Sequence, residues 1–142
     1  MNSTHPALDV RPITLTGFGV TLRPYASSDA PALHAVSPPE TFRYFPWQPA
    51  DASLGAFEEF MRGALADAAR LTFVVEHAGR VVGSTSYLEI RPKHLGVEIG
   101  ATWYAPDRRG TIVNPASKLL LLAHAFDVLA CERVQLKCDS RN

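Results

Sequence analysis

Residues 98 to 115 read as an apolar strand, Glu98-Ile99-Gly100-Ala101-Thr102-Trp103-Tyr104, running through the turn Ala105-Pro106-Asp107-Arg108-Arg109-Gly110-Thr111 into a helix opened by Ile112-Val113-Asn114-Pro115. A strand that enters a helix through a short glycine turn points the backbone N–H groups of the turn and the positive end of the helix dipole at one place. Arg108 and Arg109 bring two guanidinium groups to the same segment, which suits a phosphate or pyrophosphate. A tight connection with no ligand is the plainer alternative, but it has no need of two guanidiniums.

The rest of the composition narrows the classes. With 142 residues the chain is the size of one domain, and we expect a lead-in over residues 1–12 followed by a single domain over residues 13–142. A hydrophobic fraction of 46% with 20% charged residues is that of a globular protein rather than of a disordered one. The 14 basic and 14 acidic residues cancel, so no global field draws the chain to nucleic acid or to an anionic membrane, and any anion site is local. No apolar run approaches the roughly 20 residues of a membrane helix.

Cys131 and Cys138 lack metal-type spacing and a secretory leader, and are expected to be reduced packing residues in a cytoplasmic protein. His5, His34, His77, His94 and His124 are scattered without a paired or HExxH spacing, so no metal site is expected. GxGxxG, GxxxxGK[ST] and GxSxG are all absent.

Along the chain, Val20-Thr21-Leu22-Arg23 alternates as a strand and stops at Pro24. Ser27-Ser28-Asp29 offers N-cap oxygens to a short helix over Ala30 to Val36. The stretch Phe42-Arg43-Tyr44-Phe45-Pro46-Trp47 is a loop with hydrophobic anchors; Phe45 and Trp47 either plug the edge of the core or wall a substrate cleft. Leu54, Phe57, Met61, Ala64, Leu65 and Ala68 predict an amphipathic helix from about Ser53 to Ala69.

Strands at residues 72–76 and 81–87 form a hairpin turned at His77-Ala78-Gly79, and a third strand spans Gly96 to Trp103. Asn114 is the predicted N-cap of the next helix, with Pro115 at its first position and Leu119, Leu122, Ala123, Phe126, Leu129 and Ala130 on its apolar face. Val134, Leu136 and Cys138 alternate with polar residues in a last strand.

This order of elements, with Arg109-Gly110-Thr111-Ile112-Val113-Asn114 opening the helix Ala116 to Leu122, resembles the GCN5-related N-acetyltransferases (GNAT), and within them the RimJ/RimL-like branch. Thr21-Leu22-Arg23-Pro24, the strand Val97 to Trp103 and the closing stretch Val134 to Asn142 fit the same branch.

The resemblance implies an α+β fold: a mixed, mostly antiparallel twisted sheet flanked by helices. It also implies acetyl-CoA as co-substrate, with the pyrophosphate on the backbone of Gly110, Thr111, Ile112, Val113 and Asn114 beside Arg108 and Arg109. The pantetheine would lie along the strand end at Trp103, Tyr104 and Ala105, and Asn142 stands where the family has an asparagine pointing at the cofactor. Ile112 stands where glycine is usual, and a β-branched residue resists positive φ. The family fold continues past Asn142 with a helix and two strands absent from this sequence. A truncated product, a longer chain, or completion of the sheet by another subunit, as in a homodimer, are the open explanations.

The implied reaction is attack of a primary amine, a protein N-terminus or a small amine, on the thioester. An α-amine of pKa about 7.8 is roughly a tenth neutral at pH 7, and a lysine near 10.4 about one part in 2,500, so a low-pKa amine asks less of the base. Glu98, a carboxylate in an apolar strand, is the candidate base; a surface carboxylate on the outer face of the sheet is the alternative. The oxyanion would meet a backbone N–H near Trp103 to Ala105. Tyr87 is a lesser candidate as proton donor or substrate contact, against a packing role. A non-catalytic acyl-CoA-binding or regulatory module on the same fold is the alternative function.

Overall fold

The computed structural model describes residues 8–137. Its six strands lie in one sheet in chain order: β1 (Leu15–Gly17), β2 (Val20–Pro24), β3 (Leu71–His77), β4 (Arg80–Arg91), β5 (Gly96–Tyr104) and β6 (Arg133–Leu136). Neighbours are antiparallel except β5 and β6, which are parallel. A parallel neighbour demands a crossover, and a helix between those strands supplies it.

Three α-helices cover the sheet: α1 (Ala30–Ala35), α2 (Leu54–Ala66) and the crossover α3 (Val113–Ala123). On one face Val113, Ala116 and Leu121 of α3 pack with Leu22, Phe73, Val75, Val82, Tyr87, Val97 and Ile99. On the other, Ala30 and Leu33 of α1 and Phe57 and Met61 of α2 pack with Val74 and Trp103. With helices on both sides, β3 is apolar at consecutive positions, since successive side chains serve opposite cores.

Local sequence explains the joints. Ser53 caps α2 by accepting the Ala56 N–H at 3.1 Å. Ala78 and Gly79, with φ of 52° and 73°, turn the β3–β4 hairpin in two residues. Phe18 and Gly19, at 55° and 76°, do the same between β2 and the short edge strand β1, which alternation had not marked.

Two features of the predicted crossover helix are corrected. It begins at Val113, so Asn114 lies inside its first turn and is not its N-cap. Its inward face is Val113, Ala116, Ser117 and Leu121, while Leu119 is 51% and Phe126 48% exposed. Leucines at four consecutive positions left the periodicity without a preferred face, and a π turn over His124–Val128 rotates the residues that follow.

One irregularity positions the site. Gly100 pairs with Ser86 and Trp103 with Ser84, so β5 holds an extra residue there, with Ala101 at φ 48°. The bulge reverses which side chains face which core. Val97 and Ile99 face α3 before it; after it Tyr104 faces α3, and Trp103 turns toward α1 and α2. Pairing with β6 ends at Ile99 and Leu136, so the second half of β5 has β4 on one side and no strand on the other among the described residues.

Candidate active site

From the bulge onward β5 leads into the turn that the sequence singled out. Gly110 alone in the turn adopts a positive φ, 72°, and no atom lies near where a Cβ would stand. Ile112 keeps φ −63° and ψ −19°, so the β-branched residue meets no strain and its side chain, 55% exposed, points outward. Thr111 takes the capping role expected of Asn114: its Oγ1 donates to the Arg108 carbonyl at 2.6 Å and accepts the Val113 N–H at 3.3 Å.

The N–H groups of Gly110, Thr111, Ile112 and Asn114 donate to no protein acceptor among the described residues, and Pro115 has none to offer. Four unsatisfied donors at the start of an 11-residue helix make the concavity an anion needs.

Its guanidiniums are arranged differently from the expectation that both point into the turn. Arg108 donates to His77 Nδ1 at 3.2 Å and to Asp107 at 2.9 Å, which in turn pairs with Arg80, so it ties the turn to the β3–β4 hairpin. Arg109 donates to the Tyr104 carbonyl at 3.2 Å and to Thr41 Oγ1 at 3.5 Å, toward the loop after α1. The two flank the turn and do not converge.

Tyr104 is buried, its hydroxyl donates to Asn114 Oδ1 at 3.1 Å, and burial pushes its pKa up to about 12. Asn114 thus holds strand end to helix start. Ala105 is buried, and its N–H is taken by the Val82 carbonyl at 2.7 Å; Trp103, two residues back and paired with Ser84, faces β4 in the same phase, which leaves Tyr104 of the range expected to meet an oxyanion.

Glu98 stands just before the bulge, on the face opposite Ile99. It is only 7% exposed, accepts from Gln135 Nε2 at 3.0 Å and pairs with Lys137 Nζ at 3.2 Å. It is therefore not the surface carboxylate of the alternative reading. Tyr87 is elsewhere: fully buried, it donates to the Leu121 carbonyl at 2.6 Å, stacks on His124, and has its pKa raised by burial. The fold spends its proton on α3 and does not bring it to the strand edge.

Phe45 and Trp47 part company as well. Phe45 joins Phe42, Phe57, Phe60 and Trp103 in an aromatic cluster, with centroids 5.3 Å from Phe42 and 6.1 Å from Trp103, whereas Trp47 is 80% exposed. Neither lines the cavity of about 790 Å³ beside this loop, whose walls include His34, Phe42, Asp51, Phe57 and Ala105. Trp103 keeps a buried Nε1 with no partner among the described residues.

Asn142 and Cys138 lie outside the described residues, and Cys131 is a buried free thiol. Sequence reasoning missed Lys118, whose Nζ reaches Thr102 Oγ1 at 3.0 Å and whose pKa burial lowers to about 8. The only signal was a single cation in a run of leucines.

The profile of the acetyltransferase (GNAT) domain family matches residues 20–142. The chain belongs to the GNAT acetyltransferase family. A T. thermophilus protein assigned as an acetyltransferase is 32% identical over 94% of this chain and 70% of its own, with a TM-score of 0.87. Two more distant structures share the fold. One is RimL, the ribosomal L7/L12 alpha-N-protein acetyltransferase in complex with coenzyme A, at 18% identity over 92% of this chain and 77% of its own, TM-score 0.79. The other is spermidine N-acetyltransferase from Vibrio cholerae with CoA and spermine, at 23% over 89% and 75%, TM-score 0.72. No curated protein matches the sequence. The GNAT chain is thus an acyltransferase on a mixed α+β sheet, and its family's acyl donor is acetyl-CoA.

Proposed function

We propose that this acetyltransferase transfers the acetyl group of acetyl-CoA to a primary amine, a protein N-terminus or a small amine, in the cytoplasm. The observation that carries the reading is the set of four N–H groups at the start of α3 that are unpaired among the described residues, next to a strand edge that β6 leaves uncovered. The pyrophosphate would be held by Gly110, Thr111, Ile112 and Asn114, with Arg109 and Arg108 flanking it, and the pantetheine would lie along the strand end at Trp103 and Tyr104. When bound, acetyl-CoA supplies an acetyl thioester, whose carbonyl carbon is the electrophile.

The chain's own groups do the rest. Glu98, in a nearly buried position just before the bulge, takes the proton of the incoming amine directly or through a water. The two CoA complexes named above belong to enzymes named for an α-amine and a polyamine, both primary amines, which agrees with an acceptor of that class. An amine with a low pKa needs least from a carboxylate base.

Calorimetric titration with acetyl-CoA, followed by thiol release over a panel of amines and N-terminal peptides, tests the proposal. Micromolar binding and turnover with at least one primary amine are expected. Binding with no thiol release from any amine would remove the acceptor class, and no binding would remove the cofactor placement.

A further inference from the structure

Lys118 is a charged group beside the second half of β5 that amine acetylation leaves unused. It sits on α3 in the run Ser117-Lys118-Leu119-Leu120-Leu121-Leu122, yet its side chain turns toward the sheet. Nζ lies 3.0 Å from Thr102 Oγ1, which itself lies 2.9 Å from Thr85 Oγ1. Thr102 directly follows the bulge residue Ala101, in the half of β5 that β6 does not cover. Among the described residues no carboxylate pairs with Lys118; Glu98, the acid on the same strand, projects from the other face and pairs with Lys137. An amine partly removed from water, with one hydroxyl as its partner among the described residues, becomes an uncharged nucleophile at small cost.

We propose that Lys118 is an internal acetyl acceptor, its Nζ taking the acetyl group of a thioester laid along the edge of β5 beside Thr102. This rests on the placement of acetyl-CoA given above. The neutral amine adds to the thioester carbonyl carbon; a C–N bond forms as the C–S bond breaks. Sulfur leaves with the electron pair and takes up the proton that nitrogen sheds. The products are Nε-acetyl-Lys118 and the free thiol, with no change of oxidation state.

Two things single out Lys118 from Lys93 and Lys137, the chain's other lysines. With its pKa lowered to about 8 by burial, roughly a quarter of it is neutral at pH 7.5, against on the order of one part in 800 for a lysine near 10.4. Its position is also fixed by the hydroxyl of a β5 residue, which converts a collision into a positioned attack, whereas the side chain of Lys137 is 71% exposed and Lys93 is exposed on the turn after β4. Acetylation replaces a half-buried ammonium by a neutral amide, so the product is less costly to bury than the starting group.

The test is incubation of the full chain with acetyl-CoA, with binding followed by calorimetry and the modified residue found by peptide mass mapping. Acetylation of Lys118 about tenfold or more ahead of Lys93 and Lys137 is expected from the difference in neutral amine, with the preference lost in heat-unfolded chain. Thr102→Val should slow it several-fold, and Lys118→Arg should bind acetyl-CoA and remain unmodified at residue 118. Binding accompanied by acetyl groups spread evenly over the three lysines, or absent from Lys118, overturns the proposal and leaves the cofactor site standing. Absence of binding removes the cofactor site and this proposal with it.

Discussion

The two halves of β5 are built for different ends. From Gly96 to Ile99 the strand has β4 on one side and β6 on the other, Val97 and Ile99 are sealed in the core, and Glu98 is tied to β6 through Gln135. From Gly100 to Tyr104 it carries a bulge, a cation at Thr102 and, among the described residues, one neighbouring strand and an unpartnered indole N–H, and it runs on into a turn with four amides that are free among those residues. Satisfied groups make the first half stable; the second concentrates the unsatisfied ones, as a binding site must.

That contrast is open to attack from both sides. Ile99→Ala, at a side chain 1% exposed, should lower the unfolding free energy by about 2–5 kcal/mol in urea titration. Thr102→Ala should cost less than about 1.5 kcal/mol, and equal losses at the two positions would erase the distinction. Replacing Arg108 and Arg109 together by alanine should weaken acetyl-CoA binding by about 1.5–3 kcal/mol, through loss of the two charges that flank the turn and of their ties to His77 and the Tyr104 carbonyl that hold it in place; an affinity unchanged within a factor of about two would show that the backbone amides hold the anion without them.

Gly83→Ala probes the far end of the second half, opposite Tyr104, because its new Cβ would fall 2.2 Å from the Trp103 carbonyl oxygen and 2.9 Å from the Tyr104 ring. A loss near the upper end of about 1–3 kcal/mol is expected on thermal or urea unfolding, and a neutral outcome would mean that β4 and β5 can part there freely.

A smaller effect should follow pH. Lys118 titrates near 8 in the folded chain against an ordinary value of 10.5, so between those values the unfolded chain holds a proton that the folded chain has released. Stability therefore rises with pH through that window, and the urea midpoint of the native protein should climb relative to Lys118→Met. A difference that falls or stays flat would show that Lys118 is solvated. Least of all should change with Ile112→Gly, since Ile112 already holds a helical backbone and an outward side chain. Acetyl-CoA affinity should move less than about twofold.

Most of the frame was legible. Ser53 and the spacing of Phe57, Met61 and Ala64 foretold α2, and the Ala78-Gly79 turn foretold the hairpin, because both are settled by a few neighbouring residues. The free amides of the turn were legible too, in the order strand, glycine, helix. What stayed hidden was set by distant partners. Nothing near Tyr87 says that its hydroxyl meets Leu121, and nothing near Arg108 says that His77 draws its side chain away from the turn. The bulge at Ala101 escaped notice for a related reason: it falls one residue after a glycine, on a residue type with no leaning toward positive φ. Lys118 was masked by a helix with apolar residues on every side.

The aromatic cluster has a practical consequence. The chain has two tryptophans, and the fold separates them sharply: Trp103 is 4% exposed against Phe42, Phe45 and Phe57, and Trp47 is 80% exposed. Iodide or acrylamide will extinguish the emission of Trp47 and spare that of Trp103, so the fluorescence that survives quencher is an optical readout, free of any label, from the strand edge itself.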